Sequence, residues 1–503
     1  MSLFIKKPIE SLLTEATDTS KGLKRTLGAG ALVALGIGAI IGAGLFVRTA
    51  AAAAHNAGPS VTIGFIVAAV GCALAGLCYA EFASMIPIAG SAYTYSYATM
   101  GEFVAWIIGW DLILEYGVGA ATVGIAWSEY FNKFLELIRL DPIPYQWCHS
   151  PFEVSEQGVN GIMNIPALFI VLLLSLVLIR GTKGSALVNT IIVITKVAIV
   201  ILIIIFGWQY INPANHTPYI PEPTTYTDQQ GITHKFGGLI GILGAAGVVF
   251  FAFIGFDAVS TAAQEAKNPK RDMPIGILGS LAICTILYIL FSHVLTGVAN
   301  VEDFRNQGRE ASVTYAIKTY MTNHRWLGDF VTVAILAGFS SVILVMLLGQ
   351  SRVFYSMSKD GLVPRVFSDL HPKFRTPYKS NLIFFVLVGI FAGFVPGNIV
   401  GEMTSIGTLF AFMLVCAGVM ILRKTNPDLP RQFKTPLVPL VPILGILVCG
   451  SMIFGLGWAN WARLAGWLLI GFVIYFLYSR KHSKLQQGKL VVPKDPVDPL
   501  NPL

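Results

Sequence analysis

Long apolar runs separated by short polar segments recur along the whole chain. Many of these runs approach the roughly 20 residues that an α-helix needs to cross a bilayer. We predict twelve membrane-spanning helices, at 29–53, 61–88, 101–126, 161–180, 185–208, 238–265, 275–298, 328–356, 381–396, 402–423, 436–457 and 461–479. The pattern therefore indicates an all-α polytopic membrane protein with short polar connections.

The composition supports a membrane protein and argues against a soluble one. The chain has 503 residues, of which 54% are hydrophobic and only 12% are charged, and its mean hydropathy is +0.68. A soluble protein of this length would need more charged residues than this chain has to cover so much apolar surface. The net charge of +8 does not require nucleic acid as a partner, because membrane topology accounts for it.

Most of the 35 lysines and arginines lie in the N-terminal arm, the C-terminal tail and every second loop. The positive-inside rule then places both termini in the cytoplasm. We expect the membrane to be the plasma (inner) membrane. We divide the chain into a cytoplasmic arm (1–27), a twelve-helix domain (28–481) and a disordered cytoplasmic tail (482–503). Within the arm, residues 4–17 form either a short interfacial helix or a disordered segment.

Two of the predicted spans are interrupted by residues that weaken a helix. The first reads GIGAIIGAGLF over 36–46, and each glycine costs about 1 kcal/mol relative to alanine in a helix. The sixth reads GVVFFAFIGFD over 247–257, with Gly255 and Asp257 near its middle. Interruptions five spans apart are typical of an inverted repeat of five plus five helices, with the last two spans peripheral.

Two facing interruptions would form a site for a zwitterion. Unpaired backbone groups at membrane depth are tolerated only inside protein or in a wet cavity. Helix N-terminal ends offer N–H groups to a carboxylate, and C-terminal ends offer carbonyls to an ammonium. This predicts an amino-acid site. The alternative is that the glycines serve close helix packing, since Gly38 and Gly42 have small-xxx-small spacing, but packing does not explain the sixth span.

Several stretches resemble the amino acid–polyamine–organocation superfamily. These are GAIIGAGLF in the first span, YAEFASMIPIAGSAYTYSY after the second, and FFAFIGFDAVSTAAQEAKNPKRDMP through the sixth. LILEYGVG and RVFYSMSKDGLVP are similar to its cationic amino acid transporter family, of which this chain resembles a bacterial twelve-span member. The resemblance implies a LeuT-type fold that transports amino acids by alternating access.

The resemblance also implies which residues bind the substrate. The amides of Ala43 and Gly44, after Gly42, would hold the substrate carboxylate. Phe251 would be the gate aromatic over the substrate. The α-ammonium would be bound by backbone carbonyls near Ile40 and by those of Phe251, Ala252 and Ile254.

Lys196 lies in the middle of the fifth span. An intramembrane lysine costs at least about 2.5–3.5 kcal/mol on insertion scales and marks a functional site by default. The functional interpretation is that its ammonium replaces the sodium ion of sodium-coupled relatives and couples transport to protons. The structural interpretation is a cation that caps carbonyls of a broken helix. We favour proton coupling over sodium and predict no cofactor and no metal site.

Glu115 in the third span has three open roles: complementing a basic substrate side chain, carrying a proton, or pairing with another helix. Asp257 could link gating to substrate or simply satisfy free N–H groups. The stretch AGFSSVIL (337–344) of the eighth span would line the side-chain pocket, and its small residues Gly338, Ser340 and Ser341 would leave room for arginine or lysine. Glu81, Glu102, Asp111 and Glu265 lie nearer span ends and are expected to be structural or gate contacts.

These features predict a proton-coupled permease for L-amino acids, with cationic ones favoured and small neutral ones such as alanine possible. An exchanger and a non-transporting amino-acid sensor are the alternatives. An enzyme is not expected, because no metal cluster, nucleotide loop or nucleophile–base pair stands out. The substrate and the lipid bilayer are the expected partners; a small single-span partner or a sterol is left open.

Overall fold

The computed structural model describes residues 2–9, 11–12, 27–86, 88, 90–155, 157–180, 185–227, 233–263, 266–306, 312–374 and 376–489. Most of the predicted N-terminal arm (13–26) lies outside these ranges. So do Glu265 and the last part of the tail (490–503).

Helices form at all twelve predicted spans. We number the α-helices of the described residues in chain order: α1 (Ala29–Ile40), α2 (Thr49–Ala52), α3 (Val61–Met85), α4 (Ser91–Thr99), α5 (Glu102–Leu112), α6 (Gly119–Leu137), α7 (Ile165–Arg180), α8 (Ser185–Gly207), α9 (Gly238–Val249), α10 (Ala258–Thr261), α11 (Pro269–Val298), α12 (Val301–Asn306), α13 (Ser312–Tyr320), α14 (Arg325–Lys359), α15 (Tyr378–Phe394), α16 (Gly397–Thr425), α17 (Leu440–Gly455), α18 (Trp458–Ile474) and α19 (Arg480–His482).

The lengths and surfaces of these helices suit a membrane. Among the described residues, eight helical segments are long and apolar enough to cross one, and four shorter apolar helices accompany them. Large apolar side chains are exposed on the outside of the bundle, as at Leu239 (72%) and Ile286 (60%). Such side chains gain free energy from lipid rather than water. The chain is therefore a mostly helical membrane protein, while the twelve-span LeuT arrangement itself stays a prediction.

The structure interrupts both helices that the glycines marked. Helix α1 ends at Ile40, Ile41 is extended, and a wide helical turn begins at Gly44. Helix α9 ends at Val249, passes through a 3₁₀ turn and becomes extended at Ile254 before α10. We call these regions the first break (Ile41–Ala43) and the second break (Ile254–Asp257).

Among the described residues, two short strands form a hairpin. Thr224–Thr227 (β1) pairs antiparallel with Thr233–Phe236 (β2), with Thr224 opposite Phe236. This hairpin lies in the predicted exterior loop 209–237, where the Gly237 amide donates to the Asn56 carbonyl at 2.8 Å. The all-α prediction missed it, because a pair of strands this short has no strong alternation of apolar and polar residues.

Described residues near both ends of the chain lie together on one face of the bundle, which we call the terminal face. The Lys7 ammonium forms a buried ion pair with Asp360 at 2.9 Å. The Gln486 amide donates to the Ser2 carbonyl at 2.7 Å, and the Lys484 amide donates to the Asp360 carbonyl at 3.0 Å. The tail is predicted to be disordered over 482–503, and its described part up to Lys489 makes these contacts in the structure. A reading of hydropathy alone could not anticipate these long-range polar contacts.

Candidate functional site

The first break leaves backbone amides open at the start of a helix. The amides of Leu45 and Phe46 donate to the Gly42 carbonyl at 3.2 and 3.4 Å. Ala43 and Gly44 stand at the first turn of the helix that follows, where N–H groups have no carbonyl of their own helix in reach. Their amides are the groups that the family resemblance predicts to bind the substrate carboxylate.

The two breaks are in direct contact through glycines. A Cβ atom on Gly44 would overlap the backbone of Ala252. Gly255 has φ +116°, which favours glycine, and a Cβ there would lie 3.0 Å from Ala39. These two approaches bring the predicted site residues of the first and sixth spans to one place at the middle of the bundle.

A tyrosine from α11 bridges the two breaks. The Tyr288 hydroxyl is fully buried, 3.0 Å from the Ile40 carbonyl and 2.9 Å from the Ala252 carbonyl. One hydroxyl proton serves these two acceptors in turn, so each carbonyl keeps acceptor capacity. The Phe251 carbonyl, also predicted to bind ammonium, accepts the Ile254 amide at 3.3 Å within the second break.

Lys196 reaches from α8 to the end of α1. Its buried ammonium donates to the Gly38 and Ile41 carbonyls, both at 2.9 Å. These are among the last carbonyls of α1, which lose their helical partners at the break. Gly338 in α14 makes room for the lysine, since a Cβ there would lie 2.8 Å from the Lys196 Cε. The side chain therefore holds the first break, as both sequence interpretations require.

An arginine covers the predicted gate aromatic. The Arg48 guanidinium lies 5.6 Å from the centroid of the Phe251 ring and donates to the Gly397 carbonyl at 2.8 Å. Its position depends on Gly401, because a Cβ there would overlap the guanidinium. Arg48 is only 8% exposed, so the helix after the first break is tied to the start of α16 over the site.

The carboxylates of the third and sixth spans lie beside each other. The Tyr116 hydroxyl donates to the Asp257 carboxylate at 2.5 Å, and Glu115 is close enough to interact with Asp257. Both acids are fully buried. Within the described residues, neither carboxylate oxygen of Glu115 has a hydrogen-bond partner. Glu115 thus stands next to Tyr116, the residue that contacts the second break through Asp257.

The remaining acids behave partly as expected. Glu81 accepts two hydrogen bonds from Arg423, at 2.8 and 2.9 Å, and one from Arg431 at 3.1 Å, which makes it a structural ion-pair residue. Glu102 accepts from Tyr97 at 2.8 Å on the terminal face.

The structure gives α14 different contacts from those expected. The Ser341 hydroxyl donates to the Gly338 carbonyl of its own helix at 2.9 Å, and the space at Gly338 is filled by Lys196. Val342 is the residue that meets the first break, since a Cβ on Gly42 would lie 2.9 Å from its Cγ2. The small residues of this stretch therefore leave less room for a long side chain than the sequence suggested.

Sequence reasoning missed Tyr288 and Arg48, and it included Val342 only as part of the stretch 337–344. Tyr288 sits in a long apolar run and has no local signal. Arg48 did have one, because a basic residue just after the glycine-rich stretch falls within the predicted first span.

Comparison with known protein families gives one consistent result. A family model described as amino acid permease matches residues 27–478. The chain is 46% identical to the branched-chain amino acid permease BcaP of Bacillus subtilis, over 97% of this chain and 99% of the relative.

Other relatives carry different names. A methylthioribose transporter of Bacillus subtilis is 40% identical over 97% of this chain and all of the relative. A vacuolar cationic amino acid transporter of Arabidopsis thaliana is 33% identical over 85% of this chain and 68% of the relative. These relatives are permeases and transporters, which confirms the prediction that the chain is not an enzyme.

Proposed function

This chain belongs to the amino acid permease family, and from that premise we propose that it is a secondary transporter for aliphatic, branched-chain L-amino acids, driven by protons. The observation that carries the proposal is the pair of helix breaks in contact at Gly44 and Ala252. The open amides of Ala43 and Gly44 would take the carboxylate, and the Ile40 and Ala252 carbonyls beside Tyr288 would take the ammonium.

The side chains around the breaks favour an aliphatic substrate. Val342 borders the first break, Phe251 belongs to the 3₁₀ turn before the second, and the rings of Phe46 and Phe339 lie 6.5 Å apart nearby. All four are buried and apolar. Contact with such walls selects leucine, isoleucine or valine by burial of methyl groups. The name of the 46%-identical relative points to the same substrates.

A cationic substrate is the second candidate, and it rests on Glu115. A buried arginine or lysine side chain needs a carboxylate partner. Glu115 lies near Asp257 of the second break, and within the described residues its carboxylate oxygens make no hydrogen bond, so such a side chain could be its partner. Relatives named as cationic transporters keep this alternative worth testing, with 33% identity for the one from Arabidopsis thaliana.

Lys196 is the residue we assign to proton coupling. When protonated, its ammonium satisfies the Gly38 and Ile41 carbonyls. Loss of the proton would leave a neutral amine, whose two remaining N–H groups are weaker donors to these buried carbonyls than a charged ammonium is. Protonation would then stabilise this arrangement of the first break, so that the proton and the conformation are linked. We place the protein in the plasma membrane with both termini cytoplasmic, as the distribution of basic residues suggests.

The test of substrate is counterflow in proteoliposomes preloaded with unlabelled leucine. We expect excess external leucine, isoleucine or valine to suppress uptake of labelled leucine, and arginine, alanine and methylthioribose to suppress it far less. Strongest competition by arginine would replace the aliphatic assignment with the cationic one. Competition by methylthioribose alone would contradict amino-acid transport.

A variant pair ties specificity to the site. Val342→Ala removes two methyl groups at the first break, so we expect leucine affinity to fall about tenfold while alanine is less affected. Val333→Ala is the matched control on the same helix, because Val333 is 48% exposed on the outer surface. Equal effects of the two substitutions would show that Val342 does not contact the substrate.

A further inference from the structure

A cavity opens on the terminal face between the start of α11 and the loop that joins α16 to α17. Its volume is about 610 Å³. The residues that matter here are Lys270, Arg271, Ile275 and Leu278 from α11, with Gln432 and Phe433 from the loop. It is separate from the substrate site. Leu278, the cavity residue of α11 that is nearest to Tyr288 in the sequence, lies about 15 Å from Tyr288 along the helix.

One end of the cavity is cationic. Lys270 and Arg271 stand in the first turn of α11. Lys267 precedes this helix, Lys434 follows Phe433 in the loop, and both are exposed. Asp272 in the same turn is largely buried, and its carboxylate accepts the Asn268 amide at 3.2 Å. The first-turn amides of α11 add partial positive charge. The chemistry of this end therefore suits an anion.

The other end is apolar and continues into the lipid-facing surface. Ile275 and Leu278 lie one and two turns further along α11, and Phe433 faces them. Beyond Ile275, exposed apolar residues continue along the same helix at Ile283 (41%) and Ile286 (60%). A soluble anion gains nothing from such residues, whereas a hydrocarbon chain buries surface against them.

The spacing of the two ends fits a phospholipid. Seven residues separate Arg271 from Leu278, which is about 10 Å along a helix. The polar region on each side of a bilayer is about 5–8 Å thick, so this distance joins the headgroup level to the first acyl carbons. Basic residues beside a lipid-facing groove are the usual signature of anionic headgroup binding.

We propose that this cavity binds one anionic phospholipid, with its phosphate at Lys270 and Arg271 and one acyl chain along Ile275, Leu278 and Phe433. The lipid would bind at the start of α11, in the part of the chain that follows α10 and the second break. The proposal does not depend on which amino acid the protein transports.

The test is native mass spectrometry of the full chain in a neutral detergent, titrated with phosphatidylglycerol or phosphatidylcholine. We expect the wild type to retain one phosphatidylglycerol at concentrations where phosphatidylcholine is lost. In the double variant Lys270→Gln, Arg271→Gln, we expect phosphatidylglycerol affinity to fall at least about tenfold, because each basic residue near an anionic surface contributes about 1 kcal/mol.

Two further variants test the geometry. Ile275→Trp fills the mouth of the groove from an exposed position (40%), so it should displace the lipid without removing charge. The control double variant Lys133→Gln, Lys318→Gln removes two positive charges from side chains that are 44% and 45% exposed elsewhere, and it should bind as the wild type does. Melting temperatures in detergent alone should be alike for all four proteins.

Three outcomes would overturn the proposal. The first is unchanged phosphatidylglycerol binding in both groove variants, and the second is an equal loss in the control. The third is displacement of the lipid by glycerophosphoglycerol at equal concentration, since this would show a phosphate site that makes no use of the acyl chain.

Discussion

The two helix breaks differ in what holds them. The second break is satisfied by its own backbone: the Ile254 amide donates to Phe251, and the Ala258 and Ser260 amides donate to Gly255 and Asp257, at 2.8–3.3 Å. The first break depends on a distant side chain, since Lys196 from α8 supplies the donors for Gly38 and Ile41. The backbone carbonyls of the first break therefore depend on a titratable side chain, whereas these carbonyls of the second break are held by backbone amides.

The difference divides the work of the site. A break that closes on itself is suited to be a fixed surface, and a break held by a titratable group is suited to move. Tyr288 connects the two, because its hydroxyl contacts a carbonyl from each. The predictions below separate contact between the breaks from the way each is held.

The largest effect is expected at Gly44. In Gly44→Val the side chain would overlap the Ala252 backbone, which cannot give way as a flexible side chain would. We expect transport to fall at least about a hundredfold, because a displacement of the site by 1 Å costs this much. Leucine uptake into proteoliposomes measures it.

Gly30→Val is the control for Gly44→Val, since a Cβ at Gly30 has nothing within 4 Å. We expect it to transport and melt close to the wild type. If Gly44→Val also transported at wild-type rate, the contact between the breaks would not exist in the working protein.

Gly255→Ala tests whether the second break is set by its own backbone. The substitution would strain a residue at φ +116° and press on Ala39, so we expect a loss of about 1–3 kcal/mol in stability. Gly457→Ala separates the two causes, because Gly457 has φ +86° but open space around it. Thermal unfolding should rank Gly255→Ala below Gly457→Ala. Equal melting temperatures would mean that contact with Ala39 contributes nothing.

A smaller effect is expected for Tyr288→Phe. The ring stays, and only the hydroxyl between the Ile40 and Ala252 carbonyls is lost. A hydrogen bond of this kind contributes about 1 kcal/mol, so we expect substrate affinity to change by less than tenfold. Tyr219→Phe, in the loop before the hairpin, is the matched control. A hundredfold loss in Tyr288→Phe would give the hydroxyl a direct role in transport that the bridge does not explain.

The sequence predicted the breaks because glycine marks them locally. Gly42, Gly44 and Gly255 all lie at close approaches or at a backbone angle that other residues disfavour. Lys196 was found for a similar reason, since a lysine in an apolar run needs a partner that offsets the free-energy cost of burying its charge. The family resemblance was confirmed by the match over residues 27–478.

What the sequence did not predict depends on contacts between distant segments. The Tyr288 hydroxyl bridges Ile40, which lies 248 positions earlier in the chain, and Ala252, which lies 36 positions earlier. No local sequence pattern encodes this bridge. The ion pair of Lys7 with Asp360 and the hydrogen bond from Gln486 to Ser2 likewise connect distant parts of the chain. Side-chain directions on α14 were also not predicted. The Ser341 hydroxyl donates to a carbonyl of its own helix, whereas the Val342 side chain lies against the first break.

The most direct test of the central claim compares wild type with Lys196→Met in proteoliposomes, with and without an inward proton gradient. The control is Lys133→Met, whose ammonium is exposed beside Glu136. If protonated Lys196 holds the first break, the gradient should drive leucine uptake in wild type and control, and it should have no effect in Lys196→Met. Gradient-driven uptake that survives in Lys196→Met, or wild-type uptake that responds only to internal amino acid, would contradict the account.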